Sequence, residues 1–112
     1  MLSLVVDDDA TIRAFVRSIL ESEGFQTLEA QNGAEALGMV RMLDGSVDLI
    51  VTDIEMPGGN GLELSDGVRA RFPAVRIIVM SGYPEPEVRF DFVPKPFSWA
   101  DMRSAVRRVL AA

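Results

Sequence analysis

The sequence predicts an α/β protein, a doubly wound parallel sheet of five strands with helices on both faces. Three observations predict it. Strand-like runs alternate with helix-like runs along the chain. Nearly all of the strand-like runs are apolar, as they are when helices cover both faces of a sheet. Each helix-like run carries its apolar residues at helical spacing, so that one face is fit for burial.

Leu2-Ser3-Leu4-Val5-Val6 is a short first strand that runs into Asp7-Asp8-Asp9. Asp9 is the expected N-cap of a first helix, whose buried face is Ile12, Phe15, Val16, Ile19 and Leu20 and which Gly24 closes. Residues 26–30 form a second strand. Asn32, with Glu35 three residues on, opens a second helix with Ala36, Leu37, Val40 and Leu43 inward, ended by Asp44-Gly45. The apolar and β-branched residues Val47, Leu49, Ile50, Val51 and Thr52 make a buried third strand that stops at Asp53, and a Pro-Gly-Gly-Asn-Gly loop follows. A third helix is expected over about 62–72, with Leu64, Val68 and Phe72 inward and Pro73 ending it; Gly67 inside it costs roughly 1 kcal/mol against Ala. Residues 75–80 and 90–93 are the fourth and fifth strands. Ser98, with Asp101 at the N3 position, opens a last helix with Met102, Ala105, Val106, Val109 and Leu110 inward.

Composition narrows the function. A length of 112 residues suits one domain, read as 1–112, and 48% hydrophobic content argues against disorder. Neither Cys nor His is present, which removes disulfides, thiolate or imidazole metal sites and a phosphohistidine on this chain. The sequence shows no apolar run long enough to span a membrane and no export signal, so no membrane contact and a cytoplasmic location are expected. A formal charge of −6 argues against nucleic-acid contact and leaves room for a divalent cation or a basic partner.

Parallel strands bring their carboxyl ends to one edge, where open α/β sheets hold their ligands. Asp7, Asp8, Asp53, Ser81 and Lys95 all fall at such ends. One acid after a strand is usually a cap or a solvated loop residue; polar residues at four strand ends are a constellation. Three carboxylates in one pocket repel each other, and a hard cation with oxygen ligands such as Mg²⁺ relieves that repulsion. Lys95 adds a fixed positive charge and Ser81 a hydroxyl donor. Asp53 is then an oxygen nucleophile facing a metal-held phosphoryl group.

The chain resembles, end to end, the receiver domains of two-component response regulators. The motifs are LVVDDD (4–9), VTDIEMPGGNG (51–61), IIVMSGY (77–83) and VPKPF (93–97). The resemblance implies a flavodoxin-like sheet of order 2-1-3-4-5 and a phosphoacceptor switch with at most slow self-dephosphorylation, not a turnover enzyme. It makes Asp53 the phosphoacceptor, with Mg²⁺ held by Asp7, Asp8, Asp53 and the backbone carbonyl of Glu55. Ser81 becomes the switch hydroxyl, Lys95 the phosphoryl-binding lysine, Lys95-Pro96 a cis peptide and Phe92 the switch aromatic. The implied phosphodonor is a sensor histidine kinase or a histidine phosphotransfer protein, and a homodimer on phosphorylation is compatible with it. The domain could equally stand alone or belong to a larger protein such as a hybrid kinase.

Two rival readings are a pseudo-receiver that binds partners without phosphorylation and a haloacid-dehalogenase-type phosphatase. The second calls for an Asp two residues after the nucleophile, where this chain has Glu55. Glu55 and Tyr83 are expected to flank the phosphoryl group and tune its lifetime; Tyr83→Ala is expected to shorten it.

The chain departs from the family pattern after Ser81. Only the eight residues 82–89 precede the fifth strand. As a helix they would rise about 12 Å, whereas extended they reach roughly 26 Å. Pro84 and Pro86 also oppose a helix. The family's fourth helix is therefore expected to be missing or one turn long, leaving the 84–91 loop and the last helix to report phosphorylation.

Overall fold

The computed structural model describes residues 1–57, 60–83 and 89–111. The elements are β1 (Leu2–Val6), α1 (Ala10–Ser22), β2 (Gln26–Ala30), α2 (Gly33–Met42), β3 (Leu49–Asp53), α3 (Gly61–Arg71), β4 (Arg76–Ser81), β5 (Asp91–Pro94) and α4 (Trp99–Ala111). They form one five-stranded sheet of order β2-β1-β3-β4-β5, parallel at every pairing. This is the expected fold.

The inner strands β1, β3 and β4 are mainly apolar and buried because both faces are covered. The edge strands β2 and β5 also carry polar or exposed residues such as Gln26 and Pro94. Alternate residues face opposite sides. Leu4, Val6, Ile50, Ile77 and Val79 pack with Ala36 and Val40 of α2 and with Leu64 and Val68 of α3. Val5, Leu49, Val51, Ile78 and Met80 pack with Val16, Ile19 and Leu20 of α1 and with Met102, Val106 and Val109 of α4.

Local chemistry sets the helix ends. Asp9 accepts hydrogen bonds from the Thr11 and Ile12 amides, Asn32 from that of Glu35, and Asn60 from that of Leu62. Ser98 and Asp101 form a reciprocal capping box: Asp101 N–H donates to Ser98 Oγ at 3.1 Å and Ser98 N–H to Asp101 Oδ2 at 2.9 Å. After α2 the chain turns through positive φ at Asp44 and Gly45. A Cβ on Gly45 would collide with the Phe72 ring, so glycine is required there sterically as well as conformationally.

Three expectations are corrected. Phe15 is not buried: it is 38% exposed, at the rim of the α1 stripe, where its ring meets Phe97 and Trp99 instead of the sheet. β3 begins at Leu49, because Asp48 turns aside to bond Leu2 through both its amide and its carboxylate. β4 and β5 each lie one residue later than expected, at Arg76–Ser81 and Asp91–Pro94, so that β4 includes Ser81.

Between β4 and β5, residues 82, 83, 89 and 90 are bends and not helix. Residues 84–88, on which the expectation of a missing or one-turn helix also falls, lie outside the described residues. The described residues hold four helices, the last following β5.

Gly67 lies inside α3, and a Cβ built there meets nothing within 4 Å. Gly67→Ala is therefore expected to raise stability by about 1 kcal/mol, the helix-propensity difference with no steric offset. A urea midpoint no higher than wild type would contradict this.

Candidate functional site

The chain runs from β1 out to β2 on one side and returns to β3 on the other side of β1. This reversal opens a crevice at the carboxyl ends of β1 and β3. Asp7 follows β1 directly and Asp53 is the last residue of β3. Asp7 is fully buried, Asp53 is 4% exposed, and Asp8 is exposed at the mouth of the same group. One carboxylate oxygen from each lies within 4.8 Å of the others. Asp9 stands outside this group, as the α1 cap.

Lys95, just past β5, supplies the positive charge. Its Nζ lies 2.9 Å from Asp7 Oδ2 and 3.3 Å from Asp53 Oδ1. The hydrogen bond goes to Asp7, so Asp53 Oδ1 has a nearby charge but no aligned donor, although it is buried. The peptide bond after Lys95 is cis, as expected.

Burial is the main reason that the Asp53 carboxyl is pushed up to about 6; Lys95 opposes the shift, and the charges of Asp7 and Glu55 add to it. Burial by itself would lower the pKa of Lys95, but the Asp7 hydrogen bond and the Asp53 charge raise it. The site thus holds an ammonium ion among carboxylates, with negative charge in excess. Its buried unpaired oxygen, its three clustered acids and the absence of soft ligands form the donor set of a hard, oxygen-binding divalent cation.

Arg13 of α1 also reaches the site. Its Nη1 donates to the Asp7 main-chain oxygen at 2.7 Å, and its Nε pairs with Glu29 on β2 at 3.2 Å. It ties the Asp7 loop to the neighbouring strand. An arginine on the first turns of a helix gives no signal of that reach.

Gly61 fixes the return of the loop. Its N–H donates to Ile54 O at 3.0 Å, and a Cβ there would strike the Asp53 main-chain oxygen. Gly61→Ala is expected to displace Asp53 and cost about 1–3 kcal/mol; a wild-type urea midpoint would contradict it.

Ser81 is fully buried, and its hydroxyl is already engaged. It lies 2.8 and 2.9 Å from the two carboxylate oxygens of Glu55, and it accepts from the Tyr83 N–H at 3.1 Å. Tyr83 is 67% exposed. Phe92, opposite Val79 on β5, is half-buried against the α2–α3 side of the core. Beside Lys95 an apolar hollow is lined by Ile12, Phe15, Pro96 and Phe97.

Residues 3–107 match the model of the response regulator receiver domain. The chain belongs to that family. It is 36% identical over 115 residues to the sensor kinase CckA of Brucella abortus, covering 96% of this chain but 12% of that protein. It is 30% identical over 115 residues to sporulation initiation phosphotransferase F of Bacillus subtilis, covering 96% of this chain and 91% of that one. The domain can therefore be a small part of a long relative or nearly all of a short one. Among solved structures, the response regulator TrrA of Thermotoga maritima in complex with Mg²⁺–BeF superposes with a TM-score of 0.83 at 32% identity, covering 96% of this chain and 97% of that one. TrrA in complex with the histidine kinase ThkA gives a TM-score of 0.82, also at 32% identity, covering 97% of each chain. No helix among the described residues of this receiver domain is long and apolar enough to cross a membrane.

Proposed function

We propose that this receiver domain is a phosphoacceptor switch in which Asp53 takes a phosphoryl group from a phosphohistidine of a sensor histidine kinase or a histidine phosphotransfer protein. The observation that carries this is the Asp53 carboxylate itself. It is buried at a strand end, has one oxygen without an aligned donor, and lies between two further acids and a lysine.

In the transfer, an Asp53 oxygen forms a bond to phosphorus as the phosphorus–nitrogen bond to the donor's imidazole breaks, and the imidazole keeps the electron pair. Asp7, Asp8, Asp53 and the main-chain carbonyl of Glu55 would hold Mg²⁺, which supplies positive charge to the phosphoryl oxygens. Lys95, already 3.3 Å from Asp53, offers a second positive charge without having to be recruited. Asp7 orients that ammonium through its 2.9 Å contact, and Arg13 anchors the Asp7 main chain. The chain offers no carboxylic acid two residues past Asp53 of the kind a dedicated phosphatase uses, only Glu55, which is engaged with Ser81. Hydrolysis by this domain is therefore slow, and the domain acts as a switch. Ser81 and Phe92 carry the signal: the hydroxyl moves to the phosphoryl group, and the half-buried ring follows. The exposed Tyr83 covers the approach of water. TrrA supports this reading as a relative bound both to Mg²⁺–BeF and to a histidine kinase. A cytoplasmic location goes with this reading.

The test is to titrate beryllofluoride with Mg²⁺ into the protein and into Asp53→Asn, following the intrinsic fluorescence of Trp99 and the amide spectrum. A saturable, one-to-one, Mg²⁺-dependent adduct in wild type and none in the variant is expected. No adduct in either protein would make this a pseudo-receiver. Multiple turnover of a small phosphate ester would make it a phosphatase.

A further inference from the structure

The Ser81 hydroxyl has one proton to donate, and in this structure the proton goes to Glu55. Both carboxylate oxygens of Glu55 lie within 2.9 Å of Ser81 Oγ, and the Tyr83 N–H occupies the hydroxyl's acceptor side. A hydroxyl with its donor and an acceptor site both used cannot also donate to a phosphoryl oxygen on Asp53. Its partner is a charged acceptor, the stronger kind. Ser81 is fully buried, whereas Glu55 sits on an exposed loop with water to move into.

We infer that the Glu55 side chain is a positioning residue, a latch that holds the Ser81 hydroxyl away from the phosphoryl group and lets go when negative charge arrives on Asp53. The inference rests on the phosphoacceptor reading above. Glu55 is two residues from Asp53, near enough for its charge to act on that carboxylate. A phosphoryl group adds further negative charge at Asp53. Repulsion then drives Glu55 into solvent, and the freed hydroxyl donates its proton to a phosphoryl oxygen instead. The side chain has a role separate from that of the main chain of the same residue, whose carbonyl is the implied metal ligand, so substituting the side chain leaves that carbonyl in place.

The latch makes adduct formation harder by the strength of the bond it must break. Glu55→Ala is expected to tighten Mg²⁺-dependent beryllofluoride binding roughly ten-fold. Glu55→Gln keeps the acceptor but loses the charge, and should give a smaller gain. The deciding comparison is the same Glu55→Ala change made in a Ser81→Ala protein, where there is no hydroxyl to release. There the gain should shrink to about two-fold, the part due to charge repulsion alone. In the metal-free protein, Glu55→Ala should also speed exchange of the Tyr83 amide, because Ser81 Oγ is no longer held as its acceptor.

Urea midpoints of all four variants show whether each is folded; if Glu55→Ala is not, the Gln pair carries the same cycle. Unchanged affinity on removing Glu55, or an equal gain with and without Ser81, overturns the latch. A wild type that forms no adduct at all overturns the phosphoacceptor reading, and the latch falls with it; an adduct unaffected by Glu55 overturns the latch alone.

Discussion

In Mg²⁺-free buffer, Asp53→Asn is expected to be more stable than the wild type by about 1–3 kcal/mol near neutral pH, and to lose that advantage at low pH. The sign follows from burial. The folded state raises the Asp53 carboxyl from 3.8 to about 6, chiefly by desolvation. Between those values the folded protein binds more protons than the unfolded chain. Stability from this group is therefore fully present below 3.8 and is lost as the pH rises through about 6. Asn carries no charge at any pH, so the variant escapes that loss. Urea denaturation at about pH 4 and about pH 7.5 should give nearly equal midpoints for the two proteins at the lower value and a clear gap at the upper. Adding Mg²⁺ should close the gap from the wild-type side, because a cation that binds only the folded state stabilises it. A gap that is the same at both pH values would mean that the buried charge is not its cause.

Lys95→Met is expected to have the larger effect, and in the opposite direction. It removes the one ammonium within reach of Asp7 Oδ2 and Asp53 Oδ1 while leaving both carboxylates buried. Breaking a buried pair from one side costs about 3–5 kcal/mol, because the remaining charge has no compensation. Methionine keeps most of the apolar stem, so packing changes little. In the Asp53→Asn background the same substitution should cost less, since one of the two stranded charges is gone. A denaturation cycle over the four proteins measures that coupling, and a coupling near zero would contradict the ion-pair account. Beryllofluoride binding should fall about 10²–10³-fold in Lys95→Met, the scale of losing one preorganised charge at a phosphoryl group.

How far the sequence could be read follows from the range of each interaction. β1 was legible to the residue because it is a mainly apolar run ended by Asp7-Asp8-Asp9, and β2 because Gly24 and Asn32-Gly33 bracket the short segment between two helices. The caps at Asp9, Asn32 and Ser98 were legible because a cap is a contact between residues two or three apart. The cluster of Asp7, Asp8, Asp53 and Lys95 followed from strand ends once a parallel sheet was accepted, since that architecture leaves one edge for all of them. Phe15 was misplaced because helical periodicity gives the centre of a buried stripe and not its width; Val16, Ile19 and Leu20 meet the sheet, while Phe15 meets Phe97 and Trp99 at the rim. The Arg13 tie to Asp7 and the Ser81–Glu55 bond were out of reach. Both depend on where a loop main chain passes, and the second joins residues 26 apart, one at the end of β4 and the other on the loop after β3.

The most direct test of the central claim is the intact mass of the protein after incubation with Mg²⁺ and phosphoramidate, a small donor that mimics phosphohistidine. The expected result is a gain of one phosphoryl group per chain, labile to hydroxylamine as an acyl phosphate is, dependent on Mg²⁺ and absent in Asp53→Asn. No mass gain in the wild type, or a gain that survives in Asp53→Asn, would contradict it.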